Sequence, residues 1–133
     1  MAVIREFQKL IVGTPPEPID GLEDVVSYVN FAFVFYDDSI PNKAAQSVGG
    51  GWVELPTKDI DPLTFKPWSE VTDHDLEQWV IATWHPDAWV NFCKYHTAEA
   101  EQEARIMNLK VLYSADIQDT DVVVIGDTVE VAQ

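Results

Sequence analysis

The stretch LEDVVSYVNFAFVFY, residues 22–36, decides the fold of this chain. Aromatic and β-branched residues dominate it, and they favour a β-strand. Its two alternating faces carry Val25, Val29, Phe31, Phe33 and Phe35 on one side and Val26, Tyr28, Asn30, Ala32, Val34 and Tyr36 on the other. After residue 30 both faces are largely apolar, as in strands that are buried on both sides. We therefore predict a central strand that is covered on both faces.

The residues around this strand give weaker signals. Val3 to Val12 suits either a short helix or a strand, and periodicity does not decide between them. The segment GTPPEP, residues 13–18, predicts a loop, because each proline lacks a backbone donor and has a fixed φ. Residues 37–42 predict a turn, and Gly49 to Gly51 a flexible hinge that leads into a short strand, Trp52 to Leu55.

Two consecutive helices are predicted within residues 69–107. Ser69 or Thr72 can cap the first helix, whose opening turn is acidic and therefore matches the helix dipole. Pro86 fits the first turn of the second helix, and Asn108 can end it. Apolar stripes at helical spacing comprise Leu76, Trp79, Val80 and Thr83, then Trp89, Phe92, Cys93, His96 and Ala100.

The C-terminal residues return to β character. Lys110 to Tyr113 predicts a strand, and Val122 to Ile125, Gly126-Asp127 and Thr128 to Val131 predict a β-hairpin with a two-residue turn. The fold class is therefore α+β: an antiparallel β-sheet packed against two consecutive helices, with a C-terminal β-hairpin. We expect a single domain over residues 1–133, with a β-rich part at 1–68, the helices at 69–107 and a C-terminal strand and hairpin extension at 108–133.

The charge of the chain limits its partners. It has 133 residues with 8 Lys and Arg against 23 Asp and Glu, which gives a net charge of −15. A basic footprint is needed for phosphate contacts, so we expect no nucleic-acid partner and no anionic membrane. Residues 10–42, 67–93 and 111–133 contain acids and no Lys or Arg. These blocks fit a solvated acidic surface, or carboxylates that imitate the phosphates of DNA.

Membrane spans, disulfides and catalytic motifs are not predicted. One cysteine excludes an intrachain disulfide, and no apolar run is long enough for a membrane span. The N-terminal residues lack the pattern of a secretory signal, so we expect a soluble, unsecreted protein.

We predict no catalytic residue, cofactor or metal ligand. Asp116, Asp119 and Asp121 lie close in sequence but match no calcium loop. The histidines at 74, 85 and 96 form no zinc motif, and Cys93 with His96 lacks the rest of a nucleophilic site. Burial in an apolar helix face explains Cys93 and His96 better, and the Trp residues are better explained by core packing or a protein interface.

Four segments, LEDVVSYVNF at 22–31, WVEL at 52–55, FKPWSEVT at 65–72 and LEQWV at 76–80, carry a resemblance. In their order and spacing, residues of about 3–107 resemble a family of small uncharacterised proteins encoded by tailed bacteriophages. In that family a β-rich half leads through a Phe-x-Pro-aromatic segment into a Thr-capped helix with a Trp-Val pair. The matching positions are Phe65, Pro67, Trp68, Thr72, Trp79 and Val80. The resemblance implies a phage setting and no catalytic residue, and residues 108–133 depart from the shorter members.

These observations favour a non-enzymatic accessory protein of the phage virion, in the head, neck or tail, made in the host cytoplasm. Its expected partners are other phage structural proteins or copies of itself, without nucleic acid or membrane. The predicted interface is the apolar edge of the C-terminal hairpin. Its residues are Val122, Val124, Thr128, Val129 and Val131. The alternative is an acidic phage inhibitor that mimics DNA and binds a host nucleic-acid enzyme.

Overall fold

The computed structural model describes residues 3–115 and the backbone of residues 122–125 and 128–131. It has an α+β fold with a three-stranded antiparallel sheet and two helices. The sheet has the order β1-β2-β3, with β1 at Val3–Gly13, β2 at Tyr28–Asp37 and β3 at Gln46–Glu54. The aromatic stretch therefore supplies the central strand of the sheet, as predicted. The predicted cover on both faces is not found among the described residues, because both helices pack on the same face.

Strand β1 resolves the segment that periodicity left open. It pairs with β2 so that Phe7 lies opposite Phe33, and the register shifts between Lys9 and Ile11. The shift leaves Leu10 outside the regular pairing, where more than half of its side chain is exposed. Pairing with β2 thus explains the strand at Val3–Gly13, which could not be read from a local pattern alone.

The predicted glycine hinge was wrong, because Gly49, Gly50 and Gly51 lie inside β3. The second helix takes the space beside Gly49, whereas a Cβ atom on Gly50 would meet the backbone of β2 at Phe31 and Ala32. A Cβ atom on Gly49 would lie 2.7 Å from Cε1 of His96 and 2.8 Å from Cε2 of Phe92, distances that real Cβ atoms do not adopt. The missing side chain lets the helix approach the strand closely.

Helix α1 spans Asp73–Thr83 and helix α2 spans Trp89–Met107. Thr72 caps α1: its Oγ1 accepts the Asp75 backbone N–H at 3.1 Å, and the Asp75 carboxylate accepts the Thr72 N–H at 3.0 Å. Pro86 lies in a 3₁₀ turn before α2 rather than in its first turn. Further 3₁₀ turns lie at Pro41–Lys43 and Trp68–Glu70.

The core lies between one face of the sheet and the two helices. Phe31 contacts Trp84 edge to face with a centroid distance of 4.9 Å, and Phe33 contacts Trp89 at 5.0 Å. The buried cluster consists of Val26, Val29, Phe31, Phe33, Phe35, Val53, Leu76, Val80 and Ala100. The odd-numbered side chains of β2 therefore face the helices, and its even-numbered side chains face away from them.

Residues after α2 differ in part from the prediction. Asn108 follows the helix as its C-cap, as expected. The predicted strand at Lys110 to Tyr113 was wrong, because these residues are irregular and exposed. Strands β4 and β5 span Val122–Ile125 and Thr128–Val131. The predicted turn, Gly126-Asp127, lies outside the described residues, so the C-terminal hairpin stays a prediction.

Candidate functional site

The interface predicted from the sequence lies on β4 and β5. Val122 and Val124 belong to β4, and Thr128, Val129 and Val131 belong to β5. Only the backbone of these strands is described. Their role in an interface therefore stays a prediction, and the surfaces described below belong to residues 3–115.

The residues weighed for chemistry are dispersed. His74 lies on α1, His85 between the helices and His96 on α2. Asp116, Asp119 and Asp121 lie outside the described residues. Within the described part of the chain, no group of three or more His, Cys, Asp or Glu side chains could hold a metal ion.

His96 joins α2 to the edge strand β3. Its Nδ1 lies 2.7 Å from Oγ of Ser47, and its ring stacks on Phe35 with a centroid distance of 5.4 Å. Burial lowers the pKa of His96, and the nearby Glu99 carboxylate opposes this shift. The Ser47 contact was not foreseen, because no sequence signal links residues 49 positions apart. The contact connects the helix to the strand, so it has a structural explanation.

Asp37 is a buried carboxylate at the end of β2. Its Oδ1 accepts hydrogen bonds from the Ser39 backbone N–H at 2.8 Å and from the Ser39 hydroxyl at 2.5 Å. These two bonds lower the pKa of Asp37 below its ordinary value. Within the described residues, Oδ2 has no hydrogen-bond partner. The carboxylate shapes the turn after β2, as such side chains do.

A cavity of about 380 Å³ lies between α1 and the irregular segment after β3. Its wall is largely apolar and includes Phe65 and Trp79. Among its polar residues, Lys66 is engaged already, because its Nζ lies 3.0 Å from Oδ2 of Asp75. The cavity is therefore an apolar pocket whose lining also includes charged side chains.

The largest unusual surface is the face of the sheet that points away from the helices, which we call the open face. In an antiparallel sheet directly opposed residues lie on the same face, so the strand register defines it. Five positions of each strand contribute: Ile4, Glu6, Gln8, Ile11 and Gly13; Tyr28, Asn30, Ala32, Val34 and Tyr36; Gln46, Val48, Gly50, Trp52 and Glu54.

Large apolar side chains are exposed on the open face. Ile11 is 58% exposed, Val48 52% and Trp52 57%. The Trp52 ring stacks on Tyr28 with a centroid distance of 6.1 Å and an interplanar angle of 20°. Val34 at the centre is buried, so the accessible apolar surface lies on the two outer strands. A patch of this kind is typical of a protein interface rather than of a solvated surface.

The open face also carries little charge. Glu6 and Glu54 are its only acidic positions, and it has no Lys or Arg position. Glu6 accepts hydrogen bonds from Lys43 Nζ at 2.7 Å and from the Tyr36 hydroxyl at 2.9 Å. Both bonds lower the pKa of Glu6, and the bond from Lys43 has the larger effect. Lys43 therefore compensates Glu6, and among the described residues no cation forms an ion pair with Glu54.

A second exposed apolar surface follows α2, and we call it the apolar segment, residues 106–113. Leu109, Val111, Leu112 and Tyr113 are all between 63% and 89% exposed. Residues 104–115 include Arg105 and Lys110 but no acid. The segment and the residues beside it are therefore cationic in an acidic chain, and its exposed apolar side chains are suited to contact with another surface.

No protein-family model, no curated protein and no solved structure matches this chain. Among the helices of the described residues, none has the length and apolar character needed to cross a membrane.

Proposed function

We propose that this chain is a non-enzymatic accessory protein of a phage virion, located in the head, neck or tail, that docks through protein–protein contacts. The observation that carries the docking role is the open face, with three large apolar side chains more than half exposed. The phage setting rests on the resemblance of residues 3–107.

The composition of β2 supports a partner for this face. Its even-numbered residues include Ala32, Val34 and Tyr36, a set that suits a covered surface better than water. Both helices pack on the opposite face, so the sheet presents an apolar layer with aromatic side chains and little charge. Interface cores are likewise enriched in aromatic residues and depleted of charge.

The partners proposed are other phage structural proteins or copies of this chain. Within the described residues, β1 and β3 are the two edges of the sheet. Edge strands can accept a further strand from another chain. The predicted C-terminal hairpin, with Val122, Val124, Thr128, Val129 and Val131, is a candidate for such an addition to a partner's sheet.

The test is mass spectrometry of gradient-banded particles of the source phage. We expect this chain in a fixed ratio to the major structural proteins, and we expect the ratio to persist after a second gradient in high salt. A host protein of similar abundance and acidity serves as the control for carry-over. Expression in infected cells without incorporation into particles would refute the virion role.

The acidic inhibitor is the second candidate, and one observation favours it. Glu17, Asp20, Glu23 and Asp24 are all exposed within eight residues that contain no Lys or Arg. A cluster of this kind attracts basic surfaces. A pull-down from host extract tests this candidate: capture of a nucleic-acid enzyme that free DNA displaces would support it, and retention of that enzyme in the presence of DNA would count against mimicry.

A further inference from the structure

We propose that the open face binds the open face of a second copy, so that two chains form a two-fold symmetric dimer. The inference rests on the proposed docking function and names the partner. An identical patch on both chains is what a closed two-fold dimer requires. Three features of the face bear on a second copy as its occupant: its charge, its extent and its anchor residue.

Charge is the strongest of these arguments. Each chain carries a net charge of −15, so two copies repel each other over most of their surfaces. The open face carries less charge: within residues 3–115, Lys43 compensates Glu6, and Glu54 is the other acidic position. The charges of the face itself therefore add little repulsion when two copies meet there. A strongly basic partner would gain little there, since the acids that attract it lie elsewhere.

The extent of the face sets the strength of the dimer. Three strands about 4.8 Å apart and about ten residues long, at about 3.3 Å per residue, cover roughly 480 Å². Two copies would then bury roughly 1,000 Å² in total, at the lower limit for a specific interface. The dimer is accordingly a weak one in isolation, and it becomes abundant where the local concentration is high, as within an assembling particle.

Trp52 is the anchor of the proposed interface. It is 57% exposed while it stacks on Tyr28, so its ring is held in place before a partner arrives. Tryptophan is, with tyrosine and arginine, one of the residue types enriched among the side chains that contribute most to binding at interfaces. Val48 lies on the same strand and the same face, with Gly50 between them. Trp52 and Val48, each more than half exposed, therefore form the accessible apolar part of β3 on this face.

Salt dependence separates this dimer from other modes of association. Because apolar burial drives the contact and net charge opposes it, added salt should screen the repulsion and tighten the dimer. Association through ion pairs, such as the cationic apolar segment on an acidic surface, would weaken with salt instead. The sign of the salt effect therefore reports which surface is used.

The experiment is sedimentation velocity on the full chain over a range of concentrations, in low and in high salt. Trp52→Glu is the test variant and Val48→Glu a second one on the same face. Leu63→Glu is the matched control, because Leu63 is 94% exposed outside the sheet. Circular dichroism and a thermal melt establish that each variant is folded.

We expect a monomer–dimer equilibrium for the wild type and for Leu63→Glu, with a lower Kd in high salt. Trp52→Glu and Val48→Glu should each raise the dimer Kd by roughly tenfold or more. A wild type that stays monomeric, a dimer that salt weakens, or a dimer unaffected by both face variants would overturn the inference. If the wild type is monomeric but is found in particles, the proposed dimer is refuted and the virion role stands. If the wild type dimerises but is absent from particles, the virion role is refuted and the dimer stands.

Discussion

Replacement of Gly49 by alanine tests the packing of α2 against the sheet. The added Cβ would lie 2.7 Å from Cε1 of His96 and 2.8 Å from Cε2 of Phe92. The His96 ring stacks on Phe35 and the Phe92 ring contacts Phe33 edge to face, so neither ring can move away freely. The strand or the helix must shift instead, and this shift has a cost in stability.

The expected cost follows from two opposing terms. Overpacking a core by one methyl group costs about 1–3 kcal/mol. Alanine also restricts the unfolded chain more than glycine does, and this effect stabilises the native state by about 0.4–1 kcal/mol. The net loss in the free energy of unfolding is therefore about 1–2 kcal/mol, and it lowers the Tm of a chain of this length by about 3–7 °C.

Urea unfolding followed by tryptophan fluorescence measures this loss. Gly13→Ala is the matched control, because its Cβ would meet Tyr28 Cβ at an ordinary 3.6 Å. His96→Ala in the Gly49→Ala background removes one of the crowding rings, so the alanine at position 49 should then cost less than half as much. The reasoning fails if Gly49→Ala is no more destabilising than Gly13→Ala, or if its cost is unchanged without the His96 ring.

Three further predictions concern pH, a helix cap and the C-terminal residues. Burial keeps the pKa of His96 below its ordinary 6.5, so the unfolded chain binds a proton more readily than the native chain. The stability that His96 contributes is therefore present above pH 6.5 and is lost as the pH falls below it. Urea midpoints measured over this pH range should fall less for His96→Asn than for the wild type. An equal fall would show that His96 is not the group responsible. Thr72→Ala removes the acceptor of the Asp75 N–H and should cost about 1 kcal/mol in thermal unfolding, whereas the neighbouring Ser69→Ala should cost less than half of that. Deletion of residues 108–133 should leave the melting transition of the core unchanged, because residues 109–113 are exposed. The same deletion should abolish assembly into particles. An unfolded deletion product would show that residues 108–133 belong to the core.

The parts of the fold that depend on local pattern were predictable. Strand β2 follows from its alternating β-branched and aromatic residues, and the start of α1 follows from Thr72, whose capping partner lies three positions away. The fold class followed from the order of these elements. In each case the interactions that form the element involve residues close in sequence or a repeated pattern.

The parts that depend on distant contacts were not predictable. The glycines of β3 indicate flexibility when read locally, but His96 and Phe92 occupy the space beside Gly49, and the backbone of β2 lies against Gly50. Lys110 to Tyr113 has suitable β-formers, yet β propensity acts only when a neighbouring strand is present, and these residues are irregular. The two apolar faces of β2 predicted a cover on both sides, whereas the helices cover one, and this difference revealed the open face.

The central claim is that the open face is the surface through which this protein assembles. Its most direct test is the incorporation of variant chains into particles, with Trp52→Glu compared against Leu63→Glu at equal expression. We predict that Leu63→Glu is incorporated at the wild-type level and that Trp52→Glu, although folded, is lost from particles. Incorporation of Trp52→Glu at the wild-type level would contradict the account.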